Sequence, residues 1–139
     1  MLAFPTGRFQ GTGHWIDQTN EGDYRAAYAI AALPEGAAEH TVDRVFLKAD
    51  GSTLYEEHTT LTFTPAGRNG FRVTIRSARG EVDGSGYCFD HQCHYDADIG
   101  ADNHLEWTFS IGPQTIQGLA SATNKGNFTS WKETLTKVS

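Results

Sequence analysis

The segment from Gly84 to Gly100, GSGYCFDHQCHYDADIG, has the highest density of residues that could do chemistry. It contains both cysteines of the chain, Cys88 and Cys93, together with His91 and His94. Thiolates and imidazoles are the ligands of tetrahedral zinc sites, so a Cys₂His₂ centre is the first hypothesis. The spacing C-x2-H-x-C-H is not that of a standard zinc finger, and Cys93 and His94, as neighbours on a strand, would point to opposite faces. We therefore expect no bound metal here.

A disulfide between Cys88 and Cys93 is the second alternative, because a tight turn can bring two cysteines within bonding range. The first ten residues, MLAFPTGRFQ, lack the basic and apolar regions of a secretory signal. A reducing cytoplasm is then the expected location, and disulfides are rare there. The prediction is accordingly two free thiols.

A carboxylate and a guanidinium on neighbouring segments form the next candidate site. Glu57 shares one face of the segment 53–64 with aromatic and aliphatic residues. If that face is the inner one, the carboxylate lies inside the fold; if the strand turns its other face inward, which is the favoured alternative, Glu57 lies in water. A buried carboxylate needs a partner, and Arg44 is a candidate. This pair, or His94, could fix the polar end of a ligand, and Glu57 could also serve as a general base.

Strands must position these residues, because apolar and polar residues alternate along most of the chain. Strong turn sequences such as Ala49-Asp50-Gly51-Ser52 separate the alternating segments. The segment from Asp23 to Leu33 has both helical and alternating spacing, and we predict a strand because its neighbours are strands. The expected strands are 8–17, 23–33, 40–48, 53–64, 71–76, two arms of the hairpin within 84–100, 104–111, 115–123 and 127–138.

Composition limits the class of protein. The 139 residues carry a formal net charge of −6 and ordinary globular hydrophobicity, with 15 glycines. Nucleic acids and anionic membranes are unfavourable partners for an acidic chain without a Lys/Arg cluster. No stretch approaches the length of a membrane-spanning segment. We expect one domain, residues 1–139, in an all-β fold.

About eight to ten strands joined by short turns close most simply into a single antiparallel up-and-down barrel. Residues Gly13-His14-Trp15 match the G-x-W pattern of the calycins, which include the lipocalins, the fatty-acid-binding proteins and the haem-binding nitrobindins. The chain resembles this group. The resemblance implies that Trp15 plugs the closed end of the barrel and that Lys132 packs over it, although arginine is usual there. It also implies a small apolar ligand inside the barrel.

The leading hypothesis is non-catalytic binding of that ligand, with no cofactor, and with neither nucleic acid nor membrane as a partner; a homodimer is possible. A small barrel enzyme, such as an isomerase, cyclase or hydrolase using a cavity histidine or carboxylate, is the alternative. A scaffold whose barrel is filled by side chains is the third. Glu57, Arg44 or His94 would fix the polar end of the ligand. The expected lining residues are Tyr28, Phe46, Phe63, Phe71, Phe89, Tyr95, Trp107 and Phe109.

Overall fold

The all-β prediction is confirmed. A computed structural model of the protein describes residues 4–100 and 102–139, and these residues form ten antiparallel strands in a closed barrel. Among the described residues, no helix has the length and apolar character needed to cross a bilayer. The strands are β1 (Gly7–Asp17), β2 (Glu21–Ala32), β3 (Ala38–Leu47), β4 (Thr53–Ala66), β5 (Gly70–Ser77), β6 (Gly80–Phe89), β7 (Gln92–Asp98), β8 (Asn103–Ile111), β9 (Thr115–Asn124) and β10 (Asn127–Lys137).

Each strand pairs with its neighbours in the chain, and β10 pairs with β1 to close the barrel. The ambiguous segment 23–33 belongs to β2, as predicted, and a single turn of 3₁₀ helix, Pro34–Gly36, follows it. Both edges of β2 bond to other strands, since Tyr24 lies opposite Gly13 on β1 and opposite Phe46 on β3. A helix would leave one edge of β1 and one edge of β3 unpaired, so barrel closure outweighs the helical propensity of the alanines.

The two ends of the barrel differ in burial. We call the end at the β1–β2, β3–β4, β5–β6, β7–β8 and β9–β10 turns the mouth, and the opposite end the closed end. Inward-facing residues near the closed end, such as Phe9, Val73 and Leu135, are completely buried. Inward-facing residues nearest the mouth, such as Trp15 and Trp131, are only partly buried. The closed end is therefore the more densely packed of the two.

Phe4 covers the closed end from the segment before β1. Its ring centroid lies 4.7 Å from that of His40 and 4.8 Å from that of Phe63. Phe63 in turn packs edge-on against Phe71, at 5.3 Å, and contacts Tyr95 and Phe109 at 6.1 and 6.3 Å. These distances are those of packed aromatic pairs, so side chains fill this half of the barrel.

Glycines on the inner wall make room for the rings. A Cβ atom at Gly13 would lie 2.1 Å from Cζ of Tyr24, and one at Gly118 would lie 2.8 Å from Cζ2 of Trp107. At Gly11 the close neighbour is backbone, the carbonyl oxygen of Thr134 at 1.8 Å. Gly11 and Gly13 on the inner face of β1 thus allow close approach, Gly13 to a ring and Gly11 to a neighbouring strand.

The prediction of free thiols is wrong. Cys88 and Cys93 form a disulfide across the β6–β7 hairpin, with their Cα atoms 4.1 Å apart. The two residues lie directly opposite each other, and the amide of Cys88 donates to Asn69 on the other side of β6. In an antiparallel sheet, opposed residues that share no backbone hydrogen bond have closer Cα atoms than those that do. Cys88 and Cys93 form a pair of this closer type. The bond also removes the thiolates that a zinc centre with His91 and His94 would need.

Replacing both cysteines with serine should cost on the order of 2 kcal/mol of unfolding free energy, the value expected for closing a loop this short. Urea unfolding with and without reductant measures it, and reductant should lower the midpoint of the wild type but not that of the C88S/C93S variant. Ellman reagent should find no thiol in unreduced, denatured protein. Two titrating thiols there would show that the bond does not form.

His40 provides a second test of this end. It is 4% exposed, its Nε2 has no hydrogen-bond partner among residues 4–100 and 102–139, and burial lowers its pKa from 6.5 to about 3. Between these two values the unfolded chain binds a proton that the folded chain refuses, so stability falls as the pH falls below 6.5. His40→Leu should remove this loss. The unfolding free energy of the variant, relative to that of the wild type, should therefore rise by roughly 2 kcal/mol between pH 7 and pH 5.

Urea unfolding at the two pH values measures the difference. His58→Leu is the control, because the His58 side chain is 63% exposed on the outer wall and bonds to Asp43. If the difference in unfolding free energy between His40→Leu and the wild type is the same at both pH values, that result would contradict a buried neutral imidazole.

Candidate functional site

A buried ion pair crosses the middle of the barrel. Arg44 on β3 and Glu133 on β10 are 8% and 3% exposed. Nε of Arg44 donates to Oε1 of Glu133 at 3.1 Å, and Nη2 donates to Oε2 at 3.3 Å. This two-bond geometry is the strongest form of the arginine–carboxylate interaction, and it offsets the desolvation of both charges.

Two tyrosines of β2 complete the shell around the carboxylate. The hydroxyl of Tyr24 donates to Oε1 of Glu133 at 2.9 Å, and that of Tyr28 donates to Oε2. Tyr28 also accepts from Nη2 of Arg44 at 3.0 Å. Burial, with the charge of Glu133, raises the pKa of Tyr24 and of Tyr28 well above the ordinary value. Both hydroxyls therefore remain protonated donors.

The outer side of Arg44 faces the mouth. Its Nη1 lies 3.9 Å from Oε1 of Glu57, whose side chain is 40% exposed. The guanidinium carbon lies 5.3 Å from the ring centroid of Trp107, within range of a cation–π interaction. Burial opposes the charge of Arg44, but Tyr28 and Glu133 outweigh it, so its pKa is raised and the side chain stays cationic. The charge pair thus forms the floor of the mouth.

Aromatic and aliphatic side chains surround this floor. Tyr55 stacks on Phe46 with ring centroids 4.6 Å apart, and half of its surface is exposed. Trp131 lies opposite Trp15 on the adjacent strand and packs against Trp107 at 6.0 Å. All three tryptophans of the chain are therefore at this end. The partly buried residues of the mouth are Trp15, Phe46, Tyr55, Glu57, Ile75, Leu105 and Trp131.

Two donors at the mouth have no acceptor. Nε1 of Trp15 and Nε1 of Trp131 are both buried, and neither has a hydrogen-bond partner among the described residues. An unsatisfied buried N–H costs about 1–3 kcal/mol. Each nitrogen is shielded from solvent, so a ligand with an acceptor oxygen could reach one or both only after the indole ring turned.

The interior at the closed end does not fit a haem. Nε2 of His40 has no partner within the described part of the chain, as an axial ligand would need. The rings of Phe4 and Phe63, each 4.7 Å from the His40 ring, occupy the space that a macrocycle would require.

The structure brings most of the predicted lining residues inside the barrel. Phe46, Trp107, Arg44 and Glu57 lie at the mouth or its floor. The remaining inward residues pack around the ion pair or against one another in the closed half, and they are Tyr28, Phe63, Phe71, Tyr95 and Phe109.

Three predicted residues point outward instead. Phe89 is 76% exposed, because its neighbour Cys88 faces inward and strand neighbours alternate. His94 bonds to Thr108 and Asp96 on the outer wall for the same reason. Lys132 is also exposed, so it does not pack over Trp15. Trp15 faces inward, but it lies at the partly open mouth rather than plugging the closed end.

Sequence reasoning missed Glu133, the most buried charged residue. Trp131, Glu133 and Leu135 alternate with exposed residues along β10, so the inner-face pattern was readable. The calycin resemblance implied a basic residue on the last strand, and this pointed to the neighbouring Lys132 instead. Arg44 was paired with Glu57, its second and longer contact.

A double-mutant cycle tests the buried pair. Arg44→Met and Glu133→Leu should each cost about 3–5 kcal/mol, because each leaves one buried charge without its partner. The double variant should cost much less than the sum, since no charge remains. The exposed pair of Arg76 and Glu81, 3.1 Å apart, is the control, and the same changes there should cost under about 1 kcal/mol. Additive costs at Arg44 and Glu133 in urea unfolding would contradict the coupling.

No family model and no curated protein matches this chain. Two solved structures are similar over nearly its whole length. The structure of Rv2717c from M. tuberculosis aligns with a TM-score of 0.72 and 12% identity, covering 96% of this chain and 92% of that chain. The S-type phycobiliprotein lyase CPES from Guillardia theta aligns with a TM-score of 0.74 and 8% identity, covering 96% and 88%. At these identities the likeness shows the fold alone, and the chain has a lipocalin-like barrel of the calycin type.

Proposed function

We propose that the protein binds a small, largely apolar molecule at the mouth of the barrel and does not transform it. The observation that carries this proposal is the pair of unpartnered indole N–H groups, on Trp15 and Trp131, within an aromatic rim. Buried donors in native proteins nearly always have partners, and those that lack one call for an explanation. A bound acceptor is the explanation that also accounts for the partly exposed rings around them.

The mouth defines the chemistry of the ligand. A flat or aliphatic body would pack against Phe46 and Tyr55, whose stacked rings present a broad apolar surface. An acceptor oxygen, as in a carbonyl, carboxylate or sulfonate, would take the indole N–H groups. Because the packed rings around Phe63 fill the closed half, the ligand would enter only as far as the Arg44 floor. We infer a compact ligand rather than a long chain threaded through the barrel.

The protonation states favour binding over acid–base catalysis. A general acid or base works best when its pKa lies near the working pH. The tyrosine hydroxyls and the Arg44 guanidinium hold their protons far above neutrality. Their hydrogen bonds are also directed at one another, so the network serves as a rigid floor.

Transfer of a ligand to a second protein is the other function to test, because one of the similar barrels is named as a phycobiliprotein lyase. Transfer would use the same mouth and would require ligand binding first. A measurement of ligand binding therefore tests both functions.

8-Anilinonaphthalene-1-sulfonate is a suitable probe, since it combines aromatic rings with acceptor oxygens. It should bind the wild type at one site and quench tryptophan fluorescence, because all three tryptophans lie at the mouth. Tyr55→Ala should weaken binding roughly tenfold, the effect of losing about 1.4 kcal/mol of contact. Phe89→Ala is the matched control, since it removes a more exposed aromatic ring from the outer wall and should leave the affinity unchanged.

Equal affinity of the Tyr55→Ala and Phe89→Ala variants would place the probe elsewhere and overturn the proposal. So would the absence of saturable binding by the wild type. Circular dichroism of both variants should match the wild type, because each altered side chain is at least half exposed.

A further inference from the structure

A cluster of histidines and carboxylates lies on the outer wall, away from the mouth and its lining. His94 and Asp96 on β7 and Glu106 on β8 point outward, opposite in direction to the inward Cys93 and Tyr95. One ligand atom from each of the three outward residues lies within 4.8 Å of the others. These residues belong to two directly paired strands, so the backbone holds their spacing.

Two of the three ligand atoms already lie close together. Nε2 of His94 lies 3.0 Å from Oδ2 of Asp96. Ligands of a tetrahedral zinc ion with bond lengths near 2.0–2.2 Å are roughly 3.4 Å apart. Glu106 completes the set from the facing strand, and its side chain is 53% exposed, so it can rotate inward by the small distance required.

Neighbouring side chains orient these groups as metal sites require. The Oγ1 atom of Thr108 lies 2.9 Å from Nδ1 of His94, where it can accept the Nδ1–H and leave the Nε2 lone pair for a metal. Nε2 of His104 donates to the other oxygen of Asp96 at 3.0 Å. Nδ1 of His104 lies 3.1 Å from Asp98, which fixes the ring. Histidine and carboxylate are thus supported on their outer sides.

The pairing of the strands gives an independent reason for a cation. Asp96 lies directly opposite Glu106, and like charges in that relation destabilise an antiparallel sheet. The contact of His104 with Glu106 is long, at 3.9 Å. A divalent ion between the two carboxylates would convert this repulsion into attraction.

We propose that His94, Asp96 and Glu106 bind a divalent first-row transition metal of the zinc type, with His104 as a positioning residue. The ligands would be Nε2 of His94 and one oxygen from each carboxylate, with water in the fourth position. One imidazole and two carboxylates suit zinc chemically. The metal would take the place of the proton that bridges His94 and Asp96, and that proton would leave to solvent. This site differs from the cysteine–histidine centre considered from the sequence, which the disulfide rules out.

A second cluster on the same wall has the same composition but the wrong geometry. His14 lies 2.7 Å from Asp23 through Nδ1 and 3.1 Å from Glu21 through Nε2. The two carboxylates therefore occupy opposite sides of the ring and cannot share one ion with it. This cluster offers a matched control for composition and exposure.

Calorimetric titration of untagged protein with Zn²⁺ tests the proposal, and one equivalent per chain is expected. His94→Ala and Glu106→Gln should each abolish stoichiometric binding. His104→Ala should weaken it by about 10-fold or more, as loss of a residue that orients a metal ligand does, without changing the stoichiometry. His14→Ala should leave both affinity and stoichiometry unchanged. Replacing Zn²⁺ with Co²⁺ should give visible absorption bands that His94→Ala removes.

Failure of the wild type to bind one equivalent would overturn the proposal. Retention of binding by Glu106→Gln would do the same, and this variant should fold normally because the side chain is half exposed. Loss of binding in His14→Ala with retention in His94→Ala would place the metal at the other cluster. These results are separate from probe binding at the mouth, which none of the four variants should alter.

Discussion

The interaction between Arg44 and Glu133 constrains the rest of the structure. The two residues are 89 positions apart in sequence, on β3 and β10, and only a closed barrel brings them together. Each would be costly alone in the interior, so the pair and its two tyrosine donors must form as a unit. The network also specifies register. A one-residue slip of β10 would send Glu133 to the outer wall and Lys132 inward, leaving Arg44 beside a second cation.

The network divides the barrel into two functional halves. Beyond it, toward the closed end, Phe4, His40 and Phe63 pack so tightly that even a histidine stays neutral there. Toward the mouth, Phe46, Tyr55, Trp15 and Trp131 are partly exposed. A floor of fixed charge beneath an apolar rim is suited to holding a molecule in one orientation, because the floor does not need to rearrange on binding.

The outer wall carries a different chemistry from the interior, and strand alternation separates them residue by residue. Along β7, Cys93 and Tyr95 face inward, while His94 and Asp96 face outward. Residues adjacent in sequence therefore lie on opposite sides of the barrel wall. The density of reactive residue types in this segment comes from two superimposed sets, a disulfide inside and a histidine–carboxylate cluster outside, rather than from one site.

Periodicity in the sequence determined the strands, the turns and the antiparallel barrel, because alternation and turn residues are local properties. It also placed Arg44 and Trp107 among the residues of the interior, where the structure has them, and it left the orientation of Glu57 open. Tertiary structure alone decided which end is open, since Phe4 reaches the closed end from outside any strand. It alone chose Glu133 as the partner of Arg44, because closure of β10 on β1 is a long-range event. The disulfide likewise depended on the pairing phase of β6 and β7, which sets whether opposed cysteines are close enough to bond.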